Sequence, residues 1–165
     1  MTNKQDTKPK ESPGFGKLTI WLLVGITLVA GSMLLGQQRA EAADVVVYKS
    51  PTCGCCKEWV NHLQENGFSV EVHDRRDMNP VKAELGVPRR LQSCHTAKVG
   101  NYVIEGHVPA NDIRRLLEEK PAIAGLSAPG MPIGSPGMEG PRKDPYDVLT
   151  FQRGGKTTVF SRHNQ

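Results

Sequence analysis

Val45-Val46-Val47-Tyr48-Lys49-Ser50-Pro51-Thr52-Cys53-Gly54-Cys55-Cys56 passes from a short β-branched run, through Ser-Pro, into three cysteines within four residues. Val45 to Tyr48 predicts a buried strand that Ser50-Pro51 ends. Cys56, Trp59, Val60 and Leu63 stand at i, i+3, i+4 and i+7, one apolar stripe. They predict a helix that begins near the cysteines, runs to Asn66 and stops at Gly67. The Cys-Gly-Cys-Cys cluster therefore lies at a strand-to-helix turn, where helix-end amides favour the thiolate form. Such a concentration of thiols serves packing poorly. It suits thiol redox chemistry, soft-metal capture, or both.

Downstream, Phe68 to His73 alternates apolar and polar and predicts a half-buried strand. Asn79-Pro80 opens a short helix with Val81 and Leu85 on one face, closed by Gly86. Thr96–Val99 and Tyr102–Glu105 flank Gly100-Asn101, a two-residue hairpin turn. Pro109 starts a helix with Ile113, Leu116 and Leu117 on one face, ending at Lys120-Pro121. The order is β-α-β-α-β-β-α, the thioredoxin order of elements. The first βαβ unit is expected parallel with a right-handed crossover, and the later hairpin antiparallel. From Pro121 to Pro145 six prolines and five glycines rule out regular structure over most of the segment. Within it, Ala128 to Glu139 is expected to fold over the cysteines, because Met131, Ile133 and Met138 would otherwise be exposed. Tyr146–Arg153 and Thr157–Ser161 predict a terminal hairpin around Gly154-Gly155. The fold class is thus α/β and thioredoxin-like: a βαβ unit, an antiparallel hairpin and helix, a Pro/Gly-rich loop and a C-terminal hairpin extension.

The N-terminal part of the 165-residue chain reads differently. Residues 1–17 form a lysine-rich n-region placed in the cytoplasm. Residues 18–36 are an uncharged, mostly apolar run, followed by a linker over 37–44 whose Ala40-Glu41-Ala42 fits a signal-peptidase site. The run is near the ~20 residues that span a bilayer, so a cleaved signal and an uncleaved signal anchor both stand. Either way the lysines before the run leave the domain of residues 45–161 outside the cytoplasm, in the periplasm or on the extracytoplasmic face of the inner membrane. Membrane contact is expected only through residues 18–36, if they are uncleaved. No cysteine stands near the cleavage site, which argues against lipid anchoring. Of 21 Lys+Arg and 17 Asp+Glu, five and three precede Ala43, leaving 16 against 14. That balance argues against a nucleic-acid partner.

Cys53 and Cys56 have the C-x-x-C spacing of a redox motif, in which Cys53 attacks and Cys56 resolves. Cys55 interrupts that analogy. Cys94 lies 38 residues beyond Cys56, just before a predicted strand, on a loop that faces the motif in a thioredoxin-like fold. Four convergent thiolates select soft ions, Cu(I) first and then Zn(II) or iron–sulfur. Structural disulfides are a third option, with three possible pairings. His95, beside Cys94, is the first imidazole candidate, and His107 in Glu105-Gly106-His107-Val108-Pro109 the second. Met131 and Met138 offer thioethers, or else anchor the loop. His62 is assigned to a solvated helix face, His73 and His163 to the surface, and Trp59 to the core.

Cys53-Gly54-Cys55-Cys56-Lys57-Glu58-Trp59, Ser93-Cys94-His95-Thr96-Ala97, Glu105-Gly106-His107-Val108-Pro109 and Gly130-Met131-Pro132 with Gly134-Ser135-Pro136-Gly137-Met138-Glu139 together resemble the CopG family. These are exported bacterial proteins linked to copper and other metal resistance. The resemblance runs from about Val45 to Phe160, in the family's order. It implies a thioredoxin-like fold and a copper cluster bridged by Cys53, Cys55, Cys56 and Cys94, with redox function toward copper as a further implication. The expected function is extracytoplasmic Cu(I) binding in copper handling or resistance, with zinc ranked behind copper and other envelope copper-handling proteins as partners. The alternative is a thiol–disulfide oxidoreductase using Cys53 and Cys56.

Overall fold

A computed structural model of the protein describes residues 44–165. The n-region 1–17, the apolar run 18–36 and the linker up to residue 43 lie outside the described residues. Among the described residues no helix is long and apolar enough to cross a membrane.

The strands are β1 (Val45–Lys49), β2 (Val70–Asp74), β3 (Thr96–Val99), β4 (Tyr102–Glu105), β5 (Gly125–Ser127), β6 (Tyr146–Phe151) and β7 (Thr157–His163). The helices are α1 (Gly54–Glu65), α2 (Asn79–Glu84) and α3 (Ala110–Glu119), with a 3₁₀ turn at Arg89–Leu91. Among the described residues the strands form one mixed sheet in the order β2-β1-β3-β4-β5-β6-β7. As expected from the sequence, β1 and β2 run parallel and β3 and β4 antiparallel. β1 and β3 are also antiparallel.

Both faces of the sheet are covered. Val103 and Ile104 are consecutive and so project to opposite sides. Ile104 joins Trp59, Leu63, Ile113 and Leu116 of α1 and α3 in the main core. Val103 joins Val87, Leu91 and Phe151 in a smaller core on the other side, with Leu85 packed against it. The predicted α1 stripe of Cys56, Trp59, Val60 and Leu63 is the buried one. β2 is an edge strand, so Val72 is left exposed despite the alternating pattern.

Two features depart from the sequence reading. The Pro/Gly-rich segment contains β5, which pairs parallel to β4 and antiparallel to β6. The terminal hairpin is thereby a continuation of the same sheet. Gly125 makes this possible, because a Cβ there would lie 1.9 Å from the Val103 carbonyl oxygen and 2.9 Å from the Phe151 ring. His163, assigned to the surface, is partly buried, with its side chain 28% exposed. Its Nε2 lies 2.7 Å from Asp112 Oδ2, which Ser161 Oγ approaches to 2.6 Å, and its ring stacks on Tyr146. This cluster clasps β7 to α3.

Gly125→Ala tests the β4–β5 junction. It is expected to lower stability by at least about 3 kcal/mol, the upper range of overpacking penalties, read as a lower urea midpoint.

Candidate metal centre

β1 ends at Lys49, and Ser50 turns the chain by accepting a hydrogen bond from the Cys53 amide. Cys53 is the N-cap of α1, with its carbonyl accepting from the Lys57 amide. Cys55 and Cys56 lie in the first turn. Cys56 is fully buried and Cys53 partly exposed, and the two form a disulfide. Cys55 and Cys94 are free thiols. Cys55 Sγ stands 3.6 Å from Cys53 Sγ. Cys94 arrives on the loop before β3, and all four sulfurs lie within 4.8 Å of one another. The convergence of two loops expected from the sequence is present.

A buried ion pair holds the Cys94 loop. Glu105, at the end of β4, has no exposed surface, and Lys82 of α2 is 4% exposed. Glu105 Oε1 accepts from Lys82 Nζ and, at 2.6 Å, from the Ser93 amide. Its Oε2 accepts from Thr96 Oγ1 at 2.6 Å. One carboxylate thus grips residues on both sides of Cys94. Burial pushes the Glu105 carboxyl above the ordinary range, while Lys82 and the donated hydrogen bonds pull against it. In the sequence Glu105 had no role beyond its place in the Glu105-Gly106-His107 motif, and Lys82 none at all: Lys82 occupies the buried position of α2, where Val81 and Leu85 were expected to form the inner face. A Lys and a Glu 23 residues apart carry no local signal of pairing.

His95 and His107 are both fully buried beside Cys94. Cys94 Sγ is 3.4 Å from His95 Nδ1 and 3.1 Å from His107 Nε2. His95 lies against the Trp59 ring, centroids 4.3 Å apart, and meets His107 edge-on. His107 Nδ1 donates to the Pro136 carbonyl at 2.7 Å, which leaves the Nε2 lone pair facing Cys94. Desolvation lowers both imidazoles, His95 well below its usual value with help from His107 and Lys82 nearby. Both are therefore neutral and able to ligate. Burial raises the Cys94 thiol to about 11, with Cys55 adding to the effect.

Pro136 belongs to the segment expected to cover the cysteines, and its backbone does so. Gly137 packs so closely on α1 that a Cβ would lie 2.6 Å from the Cys55 carbonyl oxygen and 2.7 Å from the Trp59 nitrogen. Ser93 Oγ donates to the Gly130 carbonyl. The side chains differ from expectation: Met131 is 54% exposed, whereas Met138 is half-buried. His62 is likewise not on a solvated face. Its Nε2 accepts from the Ala110 amide at 3.1 Å and so caps α3.

Comparison with known proteins places this geometry. The model of a protein family of unknown function, DUF411, matches residues 91–138, the stretch that carries Cys94, His95, His107 and the covering loop. Two solved structures of copper resistance protein CopG, forms 1 and 2, are each 45% identical to this chain with a TM-score of 0.69. The match covers 73% of this chain and 97% of form 1, and 74% of this chain and 99% of form 2. This chain belongs to the CopG family. No curated protein matches it. The match spans nearly all of each CopG chain, in keeping with a family domain that occupies most of the described residues.

Two measurements on this CopG-family chain test the site as described. Glu105→Ala, which strands Lys82, is expected to lose about 3–5 kcal/mol, the penalty for breaking a buried ion pair. Adding Lys82→Met should recover part of that loss in chemical denaturation. Separately, alkylation of Cys94 in the metal-free protein should accelerate about tenfold per pH unit from neutrality upward, because only the thiolate reacts. The rate should level off near pH 11, where the thiol has titrated.

Proposed function

We propose that this chain is an extracytoplasmic soft-metal protein that holds Cu(I) on the thiolates of Cys53, Cys55, Cys56 and Cys94 in copper handling or resistance. The observation that carries the reading is the convergence of four sulfurs within 4.8 Å of one another. A donor set of that kind suits Cu(I) better than harder ions. The 45% identity to copper resistance protein CopG, over 73–74% of this chain, supports copper as the cargo. The sequence reading of residues 1–44 supports a place in the periplasm or on the outer face of the inner membrane, where envelope copper-handling proteins would be its partners. Imidazoles beside the Cys94 sulfur extend the reading to copper redox chemistry, since Cu(I) and Cu(II) favour different donors.

Full occupancy by this donor set requires Cys53 and Cys56 to be reduced. The reduced chain, titrated anaerobically with Cu(I) against a moderate competing chelator, is expected to retain at least about one equivalent. Cys53→Ser combined with Cys94→Ser should abolish that retention. Undiminished binding by the double variant would overturn the proposal.

The Cys53–Cys56 disulfide supports a second reading, thiol–disulfide exchange on protein substrates. Cys53 is the partly exposed member and Cys56 the fully buried one, as an attacking and a resolving thiol require. Turnover of insulin by the metal-free chain that survives Cys55→Ser and Cys94→Ser would favour this reading. Lack of turnover by the fully reduced chain would count against it.

A further inference from the structure

α1, α3 and the covering loop meet at His62, an imidazole outside the cysteine site. α3 begins at Pro109, an N-cap residue with no side-chain acceptor to offer its first turn. The amides of Asp112 and Ile113 reach the Pro109 carbonyl. The first amide of the helix, on Ala110, donates instead to His62 Nε2 of α1 at 3.1 Å. One turn earlier on α1, Trp59 Nε1 donates to the Val108 carbonyl at 2.8 Å. These two bonds tie the residues directly after His107 to α1. We propose that His62 is a pH-sensitive clasp: as the neutral imidazole it caps α3 and holds the His107 turn against α1, and on protonation it releases the Ala110 amide and turns to Glu139 of the covering loop.

Only the neutral ring can fill the first role. To accept from Ala110, Nε2 must carry a lone pair, which places the ring proton on Nδ1. An imidazolium carries a donor on both nitrogens and would set one N–H against another. It would also place a positive charge at the positive end of the α3 dipole. The charged groups facing His62 are carboxylates, Glu139 from the covering loop and Glu65 from its own helix. On α3, Arg114 is engaged with Asn111 and the Asn66 carbonyl, and Asp112 with Ser161 and His163. Glu139 Oε1 accepts from the Gly137 amide at 2.9 Å, and Gly137 is the residue that packs on α1. A charged His62 competes for that carboxylate. The proton that opens the cap therefore also disturbs the loop over the cysteines.

Burial lowers His62 from its ordinary value of 6.5, with Glu139 and Glu65 acting against it. The folded chain thus takes up this proton less readily than the unfolded one. The stabilisation from the cap is complete above pH 6.5 and is lost progressively between that value and the lower folded one. The clasp uses none of the proposed copper ligands and stands or falls apart from the copper reading.

The test is hydrogen exchange by NMR on the isotope-labelled full chain, each amide rate divided by that of an unstructured peptide at the same pH. Protection of the Ala110 amide is expected to be constant above pH 6.5 and to fall below it, by up to about tenfold per pH unit. His95 and His107 also have lowered values, so a second protein separates the contributions. His62→Gln keeps an oxygen that can accept from Ala110 and cannot take up a proton in this range. Its Ala110 protection should not change with pH. Constant protection in the natural chain from about pH 7.5 to about pH 5, the range in which imidazoles titrate, would overturn the proposal. So would the same fall in His62→Gln. If that variant does not fold, the natural chain decides alone. The pH at which Ala110 protection levels off must match the midpoint of the His62 ring titration, and a mismatch overturns the clasp.

Discussion

A carboxylate with no exposed surface organises the functional end of this sheet. Glu105 sits at the end of β4 and accepts from Lys82 on α2, Thr96 on β3 and the backbone of Ser93. Removing a carboxylate and an ammonium from water is costly, and it is offset only where the remaining lone pairs are hydrogen-bonded. Here they are, and the donors come from three different parts of the chain. The residues immediately before and two after Cys94 are gripped by one side chain. A thiol loop with no regular structure of its own therefore has a defined position opposite the first turn of α1.

The same end of the molecule combines two donor chemistries around one sulfur. Cys94 faces the cysteines of α1 on one side and His95 and His107 on the other. The covering loop participates through its backbone: the Pro136 carbonyl orients His107, the Gly130 carbonyl ties to Ser93, and Gly137 rests on the first turns of α1. Positive φ at Gly130 and Gly137, 72° and 80°, lets the chain turn twice within that short segment. The disulfide state of Cys53 and Cys56 then determines how many of the surrounding thiols are available as ligands.

Much of the architecture was legible in the sequence because its signals are local. The α1 stripe, the Gly100-Asn101 hairpin and the alternation before β2 are read from residues within one or two turns of each other. Three thiols at a strand-to-helix turn also announce soft-ligand or redox chemistry without any knowledge of the fold. The exposed Val72 shows where local pattern misleads. Alternation predicts which side chains share a face, but only the position of β2 at the sheet edge determines how well that face is covered.

The amino-acid sequence by itself determined the β-α-β-α-β-β-α order and the terminal hairpin, the place of the Cys53–Cys56 turn within it, and the class of ligand chemistry that turn can support. Tertiary structure decided which groups share the site and at what distances. Three residues at Gly125–Ser127 form a strand only because β4 and β6 flank them. Lys82 and Glu105 are buried only because each has the other. His62 and His163 are partly withdrawn from solvent because a helix terminus and an aspartate lie within reach. The physical reason is common to all of them: periodicity and turn preference act between neighbours in sequence, whereas the burial of a charge, an imidazole or a very short strand is favourable only once a distant partner has been brought into contact.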